Sequence, residues 1–287
     1  MGRILKVFVF LLILAIHPIF AEEILSFASW NLRYANKGDS LAGNGWSKRL
    51  EHISDVIRFN DLEVVNLQEM NEVDSVPMTN MLLKNLPGYA AVTCGDSLCK
   101  DFNPIIYKEE SIRLLKNGVF WFSPNSEIAE KGWDAMYRRF CTWAKFEKNG
   151  YDFYVFNVHW DHRGVMARRE SAMMSVEKVM EIAGSSTVFF AGDLNCVRKY
   201  DCYYLLEDRF WRDARENAGF VFLQDSSFNH FESGIGKKTL DHIFVTNDIV
   251  VLRYGIVRAT YYDGEQWRNA SDHSPIMIFT KLTQMGK

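Results

Sequence analysis

Six prolines in 287 residues, and no stretch crowded with proline, glycine or serine, leave the chain without a linker that would divide it. Nor is there a low-complexity tract or an internal repeat, so one domain is expected, of a length that large sandwiches reach. Basic runs are missing too. No five consecutive cations occur and the formal net charge is −3, which argues against a protein that coats a polyanion, because sequence-independent nucleic-acid affinity comes mainly from Lys and Arg at phosphates. None of the cysteine spacings is a CxxC, which disfavours a thiolate zinc site. A membrane-spanning helix needs about 20 apolar residues, and the apolar run Val7 to Ile16 stops short of that at His17 and Pro18.

That run has a different reading. Arg3 and Lys6 precede it, and Ala21 offers a small residue before Glu22, the pattern of a secretory signal peptide over residues 1–21. An uncleaved anchor is the competing reading. Cleavage removes those two cations and no acid, taking the net charge from −3 to −5, and places the protein outside the cell or in a periplasm. Export makes the five cysteines readable. Cys94 with Cys99, and Cys196 with Cys202, close short polar loops and are expected to form two local disulfides, leaving Cys141 free and buried in an apolar strand. The sequon Asn269-Ala270-Ser271 abuts the last motif described below, where a glycan would crowd the chemistry, and is expected to stay unmodified.

Hydrophobic residues make up 48% of the chain, ample for a core. The most informative stretch is Thr187 to Asn195, TVFFAGDLN, a buried strand ending abruptly in Asp193 and Asn195. Similar segments recur. Ile24 to Trp30 ends at Asn31, and Asn36 to Gly45 reads as a loop. Ser47 can cap a helix whose apolar face is Leu50, Ile53, Val56 and Ile57, and Glu63 to Gln68 leads to Glu69. Short strands follow: Ala90 to Thr93, Pro104 to Tyr107, Ile112 to Phe122, Phe140 to Phe146 and Tyr151 to Val158. Asn149-Gly150 between the last two is a hairpin signal. Helical spacing of Met173, Val176, Val179, Met180 and Ala183 predicts a helix over 166–183. Beyond a mixed region to Phe231, strands are expected from Asp241, over Tyr254 to Tyr261, and over Pro275 to Leu282.

Polar clusters therefore begin or end six strands: Asn31, Gln68-Glu69, His159-Asp161, Asp193-Asn195, Asp241-His242 and Asp272-His273. One such cluster is ordinary, whereas six point to side chains converging on a rim. Carboxylate and amide oxygens without cysteine suit a hard cation such as Mg²⁺, and histidines beside them can donate to a phosphate.

The series SWNLR, NLQE, NVHWDH, AGDLN, LDHIFVT and SDHSP, in this order over nearly the whole mature chain, resembles the endonuclease/exonuclease/phosphatase superfamily. The resemblance implies an α+β, deoxyribonuclease-like four-layer sandwich, two packed mixed β-sheets flanked by helices, over residues 22–287. It also implies Mg²⁺- or Mn²⁺-dependent hydrolysis of phosphodiesters or phosphomonoesters by direct attack of water. Matched motif by motif, Glu69 would be the principal metal ligand, with Asn31 and Asp272 in support. His273 would stand next to the scissile phosphate, oriented by Asp241. Asp193 and Asn195 would position the attacking water and bind phosphate, and His159 would contact phosphate. Either Asp193 or His273 could be the base.

Other residues carry blander expectations. His242 follows Asp241 in a strand, so its side chain should point to the opposite face. His162 should shape its loop, with Asp161 linked to Arg168. Lys237 and Lys238 could be a solvated pair or meet a second phosphate, and one of Arg138 and Arg139 could face the cleft. Trp30, Trp143 and Trp160 read as core, and Trp267 as a surface on which a base or sugar could stack. A secreted nuclease-type phosphodiesterase, acting as a monomer on short or single-stranded nucleic acid, is the first functional expectation. A phosphatase or phospholipid phosphodiesterase acting on a sugar phosphate, inositol phosphate or lipid headgroup is the second, and a non-catalytic interaction protein is a distant third.

Overall fold

The computed structural model of the chain describes residues 23–95, 99, 102–207, 211–223, 226–232, 236 and 238–282. The expected signal peptide and Lys237 lie outside the described residues. The sheet strands are β1 (Glu23–Asn31), β2 (Val64–Gln68), β3 (Tyr89–Val92), β4 (Ile105–Lys108), β5 (Arg113–Trp121), β6 (Phe140–Lys148) and β7 (Tyr151–His159). They continue with β8 (Val188–Asp193), β9 (Arg212–Asp213), β10 (Phe220–Leu223), β11 (Asp241–Val245), β12 (Ile249–Ile256) and β13 (Ile276–Leu282). One sheet has the order β10-β12-β13-β1-β2-β4-β3 and the other β9-β11-β8-β7-β6-β5. Both are mixed, with β1–β2 and β7–β8 parallel and β1–β13 and β8–β11 antiparallel.

Strand alternation explains the layering. Phe27, Val64, Phe153 and Phe189 point between the sheets and form the central core with Ile243 and Ile278. The residue after each points outward. Ala28 and Val65 pack beneath α2 (Trp46–Phe59) and α3 (Met78–Lys84), against Ile53, Ile57 and Leu82. Tyr154 and Phe190 face the layer of α4 (Val165–Ala183) and α5 (Asp201–Glu207), with Val176, Val179 and Leu206. The result is the expected α+β sandwich of helix, sheet, sheet and helix. Among the described residues no helix is long and apolar enough to cross a membrane. Cys94–Cys99 and Cys196–Cys202 are disulfide-bonded, and Cys141 is free and buried.

Four local expectations need correction. Asn36 to Gly45 is not all loop. The Asn36 side chain accepts from the Asp39 backbone N–H at 2.9 Å and caps a short helix, α1 (Lys37–Leu41). The next helix starts one residue before Ser47, with Gly45 as its cap. Met180 is exposed, and small residues such as Ala172 and Ser175 bring α4 close to the sheet in its place. Tyr254 to Tyr261 is two strands: β12 ends at Ile256, and Thr260–Tyr262 folds back on Trp267–Asn269 as a separate ribbon.

Candidate active site

Strand register gathers the polar clusters at one end of the sandwich. In the parallel pairs, Asn31 lies opposite Gln68 and His159 opposite Asp193, so four strands end together. The antiparallel β11 starts there, with Asp241 opposite Asp193. Antiparallel to β1, β13 enters just after Asp272 and His273, with Ile276 opposite Ser29. Immediately past two of these strand ends, Glu69 (φ 63°) and Asn195 (φ 47°) adopt the left-handed conformation and turn the chain sharply over the rim. Such conformations cost on the order of 1–3 kcal/mol each and persist where the surroundings over-determine them.

At the centre is the Asn31 amide, fully buried, whose Nδ2 donates to Glu69 Oε1 and to Asp193 Oδ2, each at 3.1 Å. Asn31 Oδ1 accepts from the Arg33 backbone N–H, and Glu69 Oε2 accepts from that of Tyr34. Asp193 Oδ1 accepts from the Asn195 backbone N–H at 2.9 Å. Its other oxygen lies 3.6 Å from His159 Nε2 and 3.7 Å from His273 Nε2. His273 Nδ1 meets Asp241 Oδ2 at 2.8 Å. Asp272 stands 3.7 Å from the Arg33 guanidinium, and its backbone carbonyl accepts from the Asn229 and His230 N–H groups.

The electrostatics follow from burial and from this crowding of acids. Burial, then the neighbouring Asp241, pushes Asp193 up to about 6 despite the pull of His273. Burial alone would lower His273, but Asp241 and then Asp193 outweigh it and push the imidazole up to about 10. Burial and then the Arg139 charge hold His159 well below the usual imidazole range. Two histidines around one carboxylate are thus driven apart, one cationic and one neutral. Burial also raises Asp272, with Glu69 adding to the shift against His273 and Arg33.

The sequence-predicted residues Asn31, Glu69, His159, Asp193, Asp241, Asp272 and His273 are therefore brought together. Asn195 is adjacent, but its Nδ2 donates to the Trp160 carbonyl at 3.0 Å and is engaged by the protein itself. Gln68 turns inward, bonding Asn157 Oδ1 and Ser29 Oγ between the sheets. His242 faces the opposite side of its strand, where Nε2 contacts the Cys196 carbonyl and the ring packs on Tyr203. Asp161 is buried beneath the rim. Its carboxylate accepts backbone N–H groups of Met136, Tyr137, Arg163 and Gly164, and Arg168 donates to its carbonyl. Trp267 stands exposed beside Tyr262 on the separate ribbon. Asn269, 7% exposed, donates to the Glu232 carbonyl, so its side chain is committed inside the fold.

Two contributors escaped the sequence reading. Arg49 is fully buried and donates to the carbonyls of Leu32, Arg33, Asn44 and Ala270, tying the loop after Asn31 to the segment before Asp272. Phe228 packs its ring 4.8 Å from His273. Neither lies in a motif, because each acts through residues far away in sequence.

The donor set suits a hard divalent cation. Glu69 and Asp272 supply carboxylates that feel each other's charge, and the Asn31 amide lies between Glu69 and Asp193. A 180° turn of that amide would present Oδ1 to them. A second group is formed by Asp193, Asp241 and His273, whose ligand atoms lie within 4.8 Å of one another. There the Asp241–His273 hydrogen bond already occupies two of the three groups, while Asp241 Oδ1 is buried and unpartnered among the described residues.

Comparison with known proteins agrees with this fold. Residues 28–273 match the sequence profile of the Endonuclease/Exonuclease/phosphatase family. An endonuclease/exonuclease/phosphatase family protein from Bacteroides thetaiotaomicron superposes with a TM-score of 0.86 at 30% identity, over 92% of this chain and 100% of that one. The mannosyl-6-phosphatase of the same organism gives 0.82 at 29% identity, over 89% and 99% of the two chains. TDP2 from D. rerio, complexed with a single-strand DNA product, gives 0.69 at 17% identity over 91% and 100%, a likeness of fold. No curated protein matches the chain at a significant level.

Proposed function

Since the chain belongs to the endonuclease/exonuclease/phosphatase family of divalent-metal-dependent phosphoester hydrolases, we propose that it is a phosphomonoesterase acting on a sugar phosphate. The observation that carries this reading is the burial of the site. His159, Asp193, Asp241 and His273 are each at most 6% exposed, which suits a terminal phosphoryl group better than the continuous backbone of a polymer. The likeness to a mannosyl-6-phosphatase supports it, as does the acidic chain without a basic run. Sequence alone put a nuclease-type phosphodiesterase first, and this burial now favours the second expectation.

In this reading Glu69 and Asp272, with Asn31, hold Mg²⁺ or Mn²⁺, which when bound supplies Lewis-acid polarisation of a phosphoryl oxygen. Asp193 takes the proton of the attacking water. His273 is ill suited to that task, because both ring nitrogens face carboxylates, Asp241 and Asp193, which favours the doubly protonated ring. It donates instead, to charge developing on the phosphoryl or leaving oxygen, and Asp241 fixes its orientation. His159, held neutral, contributes one neutral donor beside Asp193.

The test is phosphate release from a panel of hexose 6-phosphates, run beside bis(p-nitrophenyl) phosphate and single-stranded DNA. Each substrate is assayed with Mg²⁺, with Mn²⁺ and with EDTA, and with Asp193→Ala as control. Metal-dependent release from a hexose phosphate, lost in the control, is expected. Cleavage of DNA without release from any sugar phosphate would overturn the monoesterase reading and restore the nuclease.

A further inference from the structure

The eight tryptophans divide unevenly between core and surface. Six are buried and Trp133 is half-buried, whereas Trp267 is 67% exposed. It stands on the separate ribbon directly opposite Tyr262, itself 56% exposed, with the ring centres 5.8 Å apart. Opposed residues of an antiparallel pair share a face, so alternation gives the ribbon two distinct sides. Tyr261 and Arg268 face the protein. The Tyr261 ring stacks on His52 of α2 at 3.9 Å, and Arg268 donates to Asp263, to the Ala42 carbonyl and to Asn44 Oδ1. Tyr262 and Trp267 lie on the outer side with Thr260 and Asn269. The tip is braced as well, because Asp263 also accepts the backbone N–H groups of Glu265 and Gln266.

That outer side leads to the active site. Asn269 donates to the Glu232 carbonyl, and the N–H groups of Asn229 and His230, just upstream, donate to the Asp272 carbonyl. Trp267 stands at most about 18 Å of extended chain from Asp272, within the reach of a short oligosaccharide. Asn269 and Glu232 lie between, so a ring held by the aromatic pair is a neighbour of the one that carries the phosphate. A pyranose has an apolar face of slightly positive C–H groups, which suits the negative face of an aromatic ring. The hydroxyls round its edge can meet the exposed side chains of Glu265 and Gln266. Single-stranded nucleic acid also stacks on aromatics, but it needs cations along its backbone. Residues 260–269 hold two acids and one cation, Arg268, which is spent on Asp263. We propose that Tyr262 and Trp267 form a carbohydrate-binding platform for a neutral sugar adjoining the phosphorylated one, so that a phosphorylated oligosaccharide is preferred to a free hexose phosphate. The phosphorylated sugar rests on the monoesterase reading above; the platform itself does not.

Trp267→Ala and Trp267→Phe test it, with folding checked by thermal melting. The substrates are trisaccharides of glucose and of mannose phosphorylated at the 6-position of the terminal sugar, beside the corresponding hexose 6-phosphates. In the wild-type protein kcat/KM should be higher for the trisaccharide. The ratio of the two values should fall about 3- to 10-fold in Trp267→Ala, the range for losing one aromatic contact, mainly through KM. Trp267→Phe should recover part of it. The unphosphorylated trisaccharides should give saturation-transfer NMR signals with the wild-type protein that weaken in Trp267→Ala. A ratio unchanged by the substitution, or no signal with either trisaccharide, would overturn the platform. Single-stranded DNA binding that is lost in Trp267→Ala, without trisaccharide signals, would also overturn it and assign the ring pair to nucleobases. If no sugar phosphate is hydrolysed, the monoesterase reading falls on its own, and trisaccharide signals that depend on Trp267 would still support the platform.

Discussion

At the scale of single residues, the contrast between His242 and His273 shows how the site works. Both are histidines after an aspartate, both are buried, and they are driven in opposite directions. His273 has Asp241 at 2.8 Å and is held as a cation, whereas His242 meets a backbone carbonyl and burial lowers it. Asp241→Asn should leave the geometry largely intact but remove the charge that holds His273 protonated. A fall in kcat of roughly 10²- to 10⁴-fold is expected, the range for a mispositioned acid–base group, with little change in melting temperature. For His242 the sign of the linkage is fixed by its lowered folded-state value. The stability gained by burying it neutral is complete above the unfolded value, about 6.5, and is lost as pH falls from there towards the folded value. Urea unfolding between pH 7.5 and 5 should therefore show a declining stability whose slope is reduced in His242→Phe, and an unchanged slope would refute this. Most side chains of the candidate site were legible in the sequence because each stands in a short motif at a strand end. Gln68 was legible only as a neighbour of Glu69. Strand alternation sends it inward, away from the rim that Glu69 joins. Arg139 was visible only as one of a pair, because its burial and its 3.8 Å approach to Asp161 are set by the fold and not by its sequence neighbours.

At the scale of elements, β8 carries the site, and a single glycine lets it do so. A Cβ added to Gly192 would stand 1.8 Å from the Val158 carbonyl oxygen on the parallel β7, far inside contact distance. Gly192→Ala must push β8 off β7 at the residue before Asp193. It is expected to cost at least about 1–3 kcal/mol, the range for overpacking, measured by chemical denaturation. Because the displaced residue is the proposed base, kcat should fall further than the stability loss alone explains. The same strands are joined from within by amides. Asn157 Nδ2 donates to the carbonyls of Leu67 and Pro104, and Asn66 Nδ2 to those of Phe156 and Ala191. These buried bonds cross from one sheet to the other just below the rim, which fixes how the two halves of the site face each other. Strand existence was readable from the apolar runs. The helix at Lys37–Leu41 was not, because its exposed polar residues have no apolar face and only the Asn36 cap announces it.

At the scale of the whole molecule, the site belongs to neither sheet alone. Asn31, Glu69 and the Asp272–His273 segment come with the first sheet, and His159, Asp193 and Asp241 with the second. Four carboxylates thus meet where the two halves join, and the fold bears their mutual repulsion. A cation bound there would act on the sandwich as a unit, because it binds the folded chain and not the separated strands. Stabilisation then follows mass action. At a concentration one hundred times the dissociation constant it amounts to about 2.7 kcal/mol, roughly 5–10 °C in melting temperature for a domain of this size. Scanning calorimetry in Mg²⁺ against EDTA should show that rise in the wild-type protein. It should vanish in Glu69→Ala, which removes the proposed principal ligand, and survive in His159→Ala, which removes no proposed ligand. A rise that persists in Glu69→Ala would move the cation to the side of Asp193, Asp241 and His273. In that case the hydrogen bond between Asp241 and His273 would have to open to admit it.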